Sequence, residues 1–360
     1  MFKIGIVGLG QVGKSTVFRI LMHAQGSPSP LGKPEARVGV VRVPDPRLDR
    51  LAEMHQRRKT VHASIEYVDT PGSIIDLARK GEQAALLREA DALAHVLRAF
   101  QDESSAAPGG HFNPARDIEN VELELMLSDL AAVEKRIERL EKDLKKQKSP
   151  ALENEYQILR ASKETLEKQT PLRECAFPKE QERAIRGFAF LSAKPVLYVL
   201  NVGEKDAGRT GAPEELAAGM GIKPRPKTSV AAVCGTIEAE LAELGDAEAG
   251  EFLASYGLKE SAISRMVRSS YQLLGLISFF TVGDNECRSW TVRAGATAHE
   301  AAGEVHSDFQ KKFIRAEVVK FEELAAAGSL AEARSRGMVR LEGKEYVLDD
   351  GEVVYFRHSA

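Results

Sequence analysis

Cysteine is close to absent from this chain. Cys175, Cys234 and Cys287 are the only three in 360 residues. Odd in number and widely scattered, they form neither a disulfide framework nor a zinc-ligand spacing, and they suit a reducing compartment. Positive charge is not in excess either. With a net charge of −3 and a pI near 6.3, the chain has no global field to recruit nucleic acid or an anionic membrane. No stretch approaches the roughly 18 apolar residues of a membrane helix, and Gly5, Gly8 and Gly10 break the N-terminal apolar run before it resembles a secretion signal. The protein is therefore expected in the cytoplasm, away from membranes. His55, His62, His95, His299 and His306 have no Cys or acid partner at metal-ligand spacing, and they read as surface or core residues. What remains is 43% hydrophobic and 29% charged, enough for a large core divided into two or three domains.

The chain opens MFKIGIVGLGQVGKST, which fits two phosphate-binding patterns. Gly8, Gly10 and Gly13 spell the G-x-G-x-x-G of a dinucleotide-binding unit. Gly8 to Ser15 also spell G-x-x-x-x-G-K-S, the phosphate loop of nucleoside triphosphatases. Both need a strand over residues 2–7, a glycine turn, and a helix starting near Lys14 whose free N–H groups face an anion. Lys14 and Ser15 discriminate between them. A pyrophosphate of NAD needs no lysine there, whereas a triphosphate sets its β/γ charge against Lys14 and its Mg²⁺ against the Ser15 hydroxyl. The acid that would hold a dinucleotide ribose should close the second strand, but Glu35 precedes the strand expected over 38–43.

Three further strand ends follow in order. ASIEYVDTPG ends a β-branched and aromatic strand on Asp69-Thr70-Pro71-Gly72, a D-x-x-G able to orient Mg²⁺ and sense a γ-phosphate. PVLYVLNVGE ends on Asn201-Val202-Gly203-Glu204, where GTPases carry N-K-x-D for the base. SVAAVCGTIE ends on Cys234-Gly235-Thr236, which offers backbone N–H groups to the base edge. Four such loops fit a nucleotide site along the carboxyl edge of a parallel sheet.

With these motifs the chain resembles the YchF-type Obg-like ATPase family, a branch of the translation-factor-like P-loop GTPases. The resemblance runs nearly full length through GLGQVGKST, VGVVRVPDPRLDRLAE (38–53), HVLRAFQDE (95–103), RDIENVELELMLSDLAAVEKRIERLEK (116–142), RSWTVRAGATAHEAAGEVHSDFQKKFIRAEV (288–318) and EGKEYVLDDGEVVYFR (342–357). It implies an α/β protein with a P-loop nucleotide domain of parallel-rich sheet, an inserted antiparallel coiled-coil arm, and a C-terminal α+β TGS (ubiquitin-like) domain. The expected boundaries are 1–115 with 190–276, 116–189, and 277–360. The residues support each part separately. Leu123, Met126, Leu130, Val133, Ile137, Leu140 and Leu144 form a heptad stripe on a long helix, and Leu152, Leu159 and Leu166 repeat at sevens after the turn KKQKSP. A short polar turn favours a helix that folds back on its neighbour over a dimeric coiled coil. Beyond Leu274 the pattern changes to the short strands ISFFTVG and SWTVRA, then helices, then KEYVLDDGEVVYF, read as a hairpin through Asp349-Asp350-Gly351. The basic run KDLKKQK at the arm tip reads as a solvated helix end, and the C-terminal region is too acidic for a general RNA-backbone binder.

The resemblance assigns the site. Gly8, Gly10, Gln11, Val12, Gly13, Lys14, Ser15 and Thr16 are expected at the phosphates, and Asn201, Val202, Glu204, Cys234 and Gly235 at the base. Ser15 and Asp69 are expected at Mg²⁺, and Lys14, Asp69, Gly72 and His111 in catalysis. Lys and Asp of N-K-x-D are replaced by Val202 and Glu204, so ATP is favoured over GTP as the bound nucleotide. Three further departures bear on rate. The family's switch I threonine aligns with Lys33, and Ser73 follows Gly72, where relatives carry a hydrophobic residue and other GTPases a glutamine. The loop histidine of relatives aligns near Ala107, leaving His111, four residues later, either to activate water or to stand as a surface residue. The expected function is a monomeric, slow ATPase switch, turning over well below about 0.01 per second unaided and acting on the ribosome or ribosome-associated RNA or protein. The alternative is an adaptor that binds nucleotide with vestigial hydrolysis and engages partners through its arm and C-terminal domain.

Overall fold

Strands that are apolar along their whole length cannot leave a face to water, and they settle mid-sheet with cover on both sides. Residues 92–99 and 196–202 come close to such runs, interrupted by His95, Arg98 and Asn201, and every side chain of the second is buried. The computed structural model describes residues 1–23, 37–56, 59–70, 72–77, 81–100, 113–147, 149–283 and 285–359. Its strands begin with β1 (Lys3–Val7), β2 (Arg37–Arg42), β3 (Lys59–Val61), β4 (Ser64–Asp69), β5 (Ala92–Ala99), β6 (Val196–Val202) and β7 (Thr228–Cys234). They continue with β8 (Leu276–Val282), β9 (Glu286–Arg293), β10 (Phe313–Lys320), β11 (Arg340–Glu342) and β12 (Glu352–His358). The helices that bear on the site are α1 (Lys14–His23), α2 (Pro46–Met54), α3 (Ile74–Leu77), α4 (Gly81–Glu89), α5 (Pro114–Lys146) and α6 (Pro150–Glu167). Among the described residues no helix is long and apolar enough to cross a membrane.

The chain packs as two units: Met1–Val41 with Glu66–Ser269, and Arg42–Ile65 with Ser270–Ala360. The first holds a sheet in the order β2-β4-β1-β5-β6-β7. The ladders joining β4, β1, β5, β6 and β7 are all parallel, with Ile6 opposite Asp69, Val7 opposite His95 and Asn201 opposite Val233. The carboxyl ends of β1, β4, β6 and β7 therefore share one edge, where ligands bind in open α/β sheets.

The helical arm belongs to this unit instead of standing as a third body. Its long helix has 33 residues and its partner α6 only 18, so at about 1.5 Å per residue α6 covers little more than half of α5. The antiparallel pairing is confined to the distal half, where Arg136 meets Glu155 and Glu134 meets Lys163. Leu140, Leu159 and Leu166 are buried there, and Met126 and Val133 extend the same cluster toward the base. At the base the helix turns Ile118, Val121 and Leu125 into the sheet core instead. Leu123, which heads the heptad stripe in the sequence, is consequently 40% exposed. Asn113 caps α5 by accepting from the Arg116 N–H at 3.1 Å, with Pro114 at the first helical position.

In the second unit the sheet order is β11-β10-β12-β8-β9-β3. Residues 42–65, expected in the nucleotide domain, pack here instead. β3 pairs in parallel with β9, and Leu48, Leu51 and Ala52 share a core with Phe280, Cys287, Val319 and Val353. The PDPRLD stretch supplies the fastening. Asp45 accepts from Arg47 at 2.8 and 2.9 Å, and Arg47 donates to Asp350 at 2.8 Å while lying over the Phe280 ring. The expected hairpin through Asp349-Asp350-Gly351 does not form. Asp350 accepts from the Ser278 N–H and Gly351 donates to Ser278 O, both at 2.8 Å, while Tyr346 and Leu348 bond the 296–298 stretch. The residues before the turn are thus committed elsewhere, and β12 pairs with β10 and β8.

Candidate nucleotide site

The phosphate loop is shaped by two residues no side chain could replace. Gly8 (φ +151°) would drive a Cβ into the carbonyl oxygen of Val96, and Gly13 (φ +97°) would drive one into the Asn201 amide. Between them Gln11, exposed, takes a left-handed φ of +60°, a strained choice of the kind that gathers at ligand-binding turns. Val12 is buried and Gly10 is open to solvent. The loop delivers the chain into α1 at Lys14, so the first-turn N–H groups of that helix have no intrahelical acceptor and present partial positive charge.

Lys14 is 8% exposed and folds back to donate to Leu9 O at 2.5 Å and Gly8 O at 3.2 Å. Burial pushes its ammonium below the usual lysine range, opposed by the Asp69 charge. Asp69, at the end of β4, is 1% exposed. Its Oδ2 accepts from the Ser15 hydroxyl at 3.3 Å, and its Oδ1 is buried with no hydrogen-bond partner. Burial raises this carboxyl above the ordinary range, against the pull of Arg37, Ser15 and Lys14. A buried, half-partnered carboxylate oxygen beside a hydroxyl is a donor set for a hard cation. Thr70 donates to Ile6 O at 3.4 Å, seating the strand end, and Gly72 follows, exposed.

Asn201 connects the loop to the far strand by donating through Nδ2 to Val12 O at 3.2 Å. Gly235 lies against the same corner, where a Cβ would come 3.2 Å from Thr16 Cγ2 and 3.8 Å from Asn201 Oδ1. The structure therefore brings together Gly13, Thr16, Asn201 and Gly235, and separately Lys14, Ser15 and Asp69. Other expected residues are placed differently. Val202 and Cys234 turn their side chains into the core beneath the sheet, leaving only backbone atoms for a ligand, and Glu204 is exposed at the start of a 3₁₀ turn. His111 and Lys33 lie outside the described residues.

Sequence reasoning missed a buried polar cluster below this edge. Glu122 of α5 is paired with Arg173 and accepts from the Tyr198 hydroxyl at 3.4 Å, and Arg173 donates to Ser192 O at 3.2 Å. His95 of β5 sets its ring edge-on to Tyr198, and burial, with the Lys14 and Arg173 charges, pushes it down to about 3, so it is neutral. A second cluster centres on Asp129, which accepts from the N–H groups of Leu191 (3.0 Å) and Ser192 (2.7 Å) and from Arg88 (3.2 Å). Glu122 and Asp129 stand seven residues apart on α5, next to its apolar stripe. That repeat is the one trace they leave in the sequence, where it reads as a solvated flank.

A glycine loop between a strand and a helix, a lysine and a serine at its end, and an aspartate on the neighbouring parallel strand define a P-loop nucleoside triphosphatase. A family model described as a 50S ribosome-binding GTPase matches residues 3–152, and one for the C-terminal region of YchF GTPases, described as a protein of unknown function, matches 276–359. The ribosome-binding ATPase YchF of Bacillus subtilis is 42% identical over 362 residues, 99% of this chain and 98% of its own. That of Escherichia coli O157:H7 is 39% identical over the same shares. The solved YchF GTPase of Schizosaccharomyces pombe superposes with a TM-score of 0.83 at 28% identity, covering 99% of this chain and 97% of that one. The chain belongs to the YchF family.

Proposed function

We propose that this protein is a slow, Mg²⁺-dependent ATPase switch that acts on the ribosome. The observation that carries the reading is the buried Asp69 carboxylate, whose Oδ1 has no partner and whose Oδ2 touches Ser15. Among the described residues no three His, Cys, Asp or Glu side chains converge, so a cation at Asp69 and Ser15 shares its coordination with phosphate oxygens and water, as Mg²⁺ does. When bound, the ion supplies charge neutralisation for the transferred phosphoryl group. Lys14 exchanges its two carbonyl acceptors for phosphate oxygens, and the first-turn N–H groups of α1 hold the same anion. Gly72 leads the segment that follows the strand past that anion.

The base preference follows from Val202 and Glu204, which replace the lysine and aspartate of N-K-x-D beside the retained Asn201. Val12 O requires a donor, so Nδ2 is turned toward it and Oδ1 is left facing Gly235. The amide keeps an acceptor oxygen and a second Nδ2 hydrogen for the amino group and ring nitrogen of adenine, and Glu204 stands where guanine recognition uses an aspartate. The names of the relatives, ribosome-binding ATPases, support both the nucleotide and the partner. With Lys33 and Ser73 in place of the usual hydroxyl and glutamine, unaided turnover stays well below about 0.01 per second, and His111 is the candidate for activating water.

The test is nucleotide titration combined with single-turnover hydrolysis, with and without ribosomes, by wild type and His111→Ala. ATP should bind tighter than GTP, and hydrolysis should be slow and accelerated by ribosomes. GTP bound at least tenfold tighter would refute the base assignment. Tight binding with no hydrolysis under any condition would instead favour the adaptor reading.

A further inference from the structure

The segment after Asp69 is held at two points. Ile74, two residues beyond Gly72, is 3% exposed, and its N–H donates to Gly8 O at 3.3 Å. Lys14 donates to that same carbonyl at 3.2 Å. When Lys14 turns to a phosphate, Gly8 O keeps only the Ile74 N–H as its donor, so nucleotide binding alters the bond that seats Ile74. The Ile74 side chain packs with Leu87 of α4, Leu125 of α5 and Leu191, and these residues with Ala84, Glu124 and Ser128 line a small cavity.

Behind this joint the end of α4 is fastened to the arm through one arginine. Arg88 donates to Asp129 at 3.2 Å, to the Ser128 hydroxyl at 3.0 Å, and to the carbonyls of Ser128 and Ala189, each at 3.4 Å. Lys194 donates to Arg88 O at 2.8 Å and also to Ala90 O, fixing the turn that follows. Asp129 in turn holds the N–H groups of Leu191 and Ser192. Ile74, α4 and the base of α5 thus form one contiguous set of contacts running from a phosphate-loop carbonyl to the helical arm.

We propose that Arg88 and Asp129 couple the nucleotide site to the helical arm: they lock α4 to the arm, so that the setting of Ile74 and the residues around it depends on the arm. Coupling of this kind is reciprocal, and a partner gripping the arm changes nucleotide handling by the same route that nucleotide changes the arm. The proposal rests on the nucleotide-site reading above, but its main readout needs no hydrolysis.

The experiment follows amide hydrogen exchange in the full-length protein with Mg²⁺ and either ADP or a non-hydrolysable ATP analogue, alongside nucleotide affinity and single-turnover rate. In wild type, exchange at the α5 base, residues 118–133, should differ between the two nucleotides. In Arg88→Lys, which keeps the charge but loses the fork, and in the milder Ser128→Ala, that difference should shrink while nucleotide affinity stays within about twofold. The hydrolysis rate of Arg88→Lys should change by about fivefold. A wild-type arm base indifferent to which nucleotide is bound would overturn the proposal. So would variants that melt at lower temperature yet match wild type in both exchange and rate, the result of a purely structural clamp. A protein that binds nucleotide, shows the exchange difference and never hydrolyses would refute the ATPase reading and leave the arm coupling supported.

Discussion

Asp69 and Asp129 are two acids of the same unit, each with at most 1% of its surface exposed, and burial raises both carboxyls above the ordinary range. Their surroundings differ in how they are furnished. Asp129 accepts two backbone N–H groups and an arginine. Asp69 has one hydroxyl at 3.3 Å, and one of its oxygens is without a partner. An acid whose lone pairs are filled by the protein holds the protein together. One left half-filled carries a standing cost that a ligand relieves, and that cost singles out Asp69 for the proposed site.

The sharpest way to break this comparison is to remove each acid in turn. Asp129→Ala strands Arg88 and two buried N–H groups, and it should cost about 3–5 kcal/mol in urea unfolding. Asp69→Ala, unfolded without Mg²⁺ or nucleotide, should cost nothing or stabilise the fold. Equal losses would erase the distinction. Lys14→Ala belongs with Asp69: it should weaken ATP binding by about a hundredfold, worth one or two charge-assisted bonds, and leave the melting temperature unchanged or higher, because it removes a desolvated ammonium. Fluorescence titration and thermal melting together check that pair of outcomes.

A pH series sharpens the comparison further. The folded chain keeps the Asp69 proton to a higher pH than the unfolded chain does, so between the ordinary carboxylate pKa of about 3.9 and the raised value the native state binds more protons. Stability without Mg²⁺ should therefore fall as pH rises through that window, and Asp69→Asn should lack this part of the slope. Saturating Mg²⁺ and nucleotide should flatten or invert it. A wild-type minus Asp69→Asn difference that grows with pH in the absence of ligand would contradict the assignment. The smallest effect is expected at Arg136, whose pair with Glu155 lies at the partly exposed side of the arm. Arg136→Ala should change stability by less than about 1 kcal/mol.

The half-furnished site was the legible one. Lys14 and Ser15 lie in one short motif, and Asp69 and Asn201 each end an apolar strand, so local pattern alone aligns them on the sheet edge. The filled sites left almost no trace. Asp129 meets Arg88 and Glu122 meets Arg173 across separate elements, and acids flanking a heptad stripe look the same in sequence whether they face water or a buried guanidinium. The heptad pattern gave the arm but misplaced Leu123, because nothing in a repeat says where the partner helix stops and the sheet begins. The Asp350 turn was misread for a related reason: a turn signal fixes a bend, not which strand claims the residues on either side.

The placement of residues 42–65 also bears on how the chain is made. α2 and β3 emerge early in synthesis, while β9, the strand that β3 pairs with, begins some 220 residues later. At about 5–20 residues per second the waiting time is roughly 10–45 seconds. For that interval Leu48 and Leu51, fully buried in the finished protein, have no core to enter. The first unit must assemble around a segment whose apolar side chains have nowhere to pack, and a chain cut short before β8 would keep them exposed permanently. Shortened chains should therefore be recognised by chaperones and proteases through this segment, long before any defect in the phosphate loop could matter.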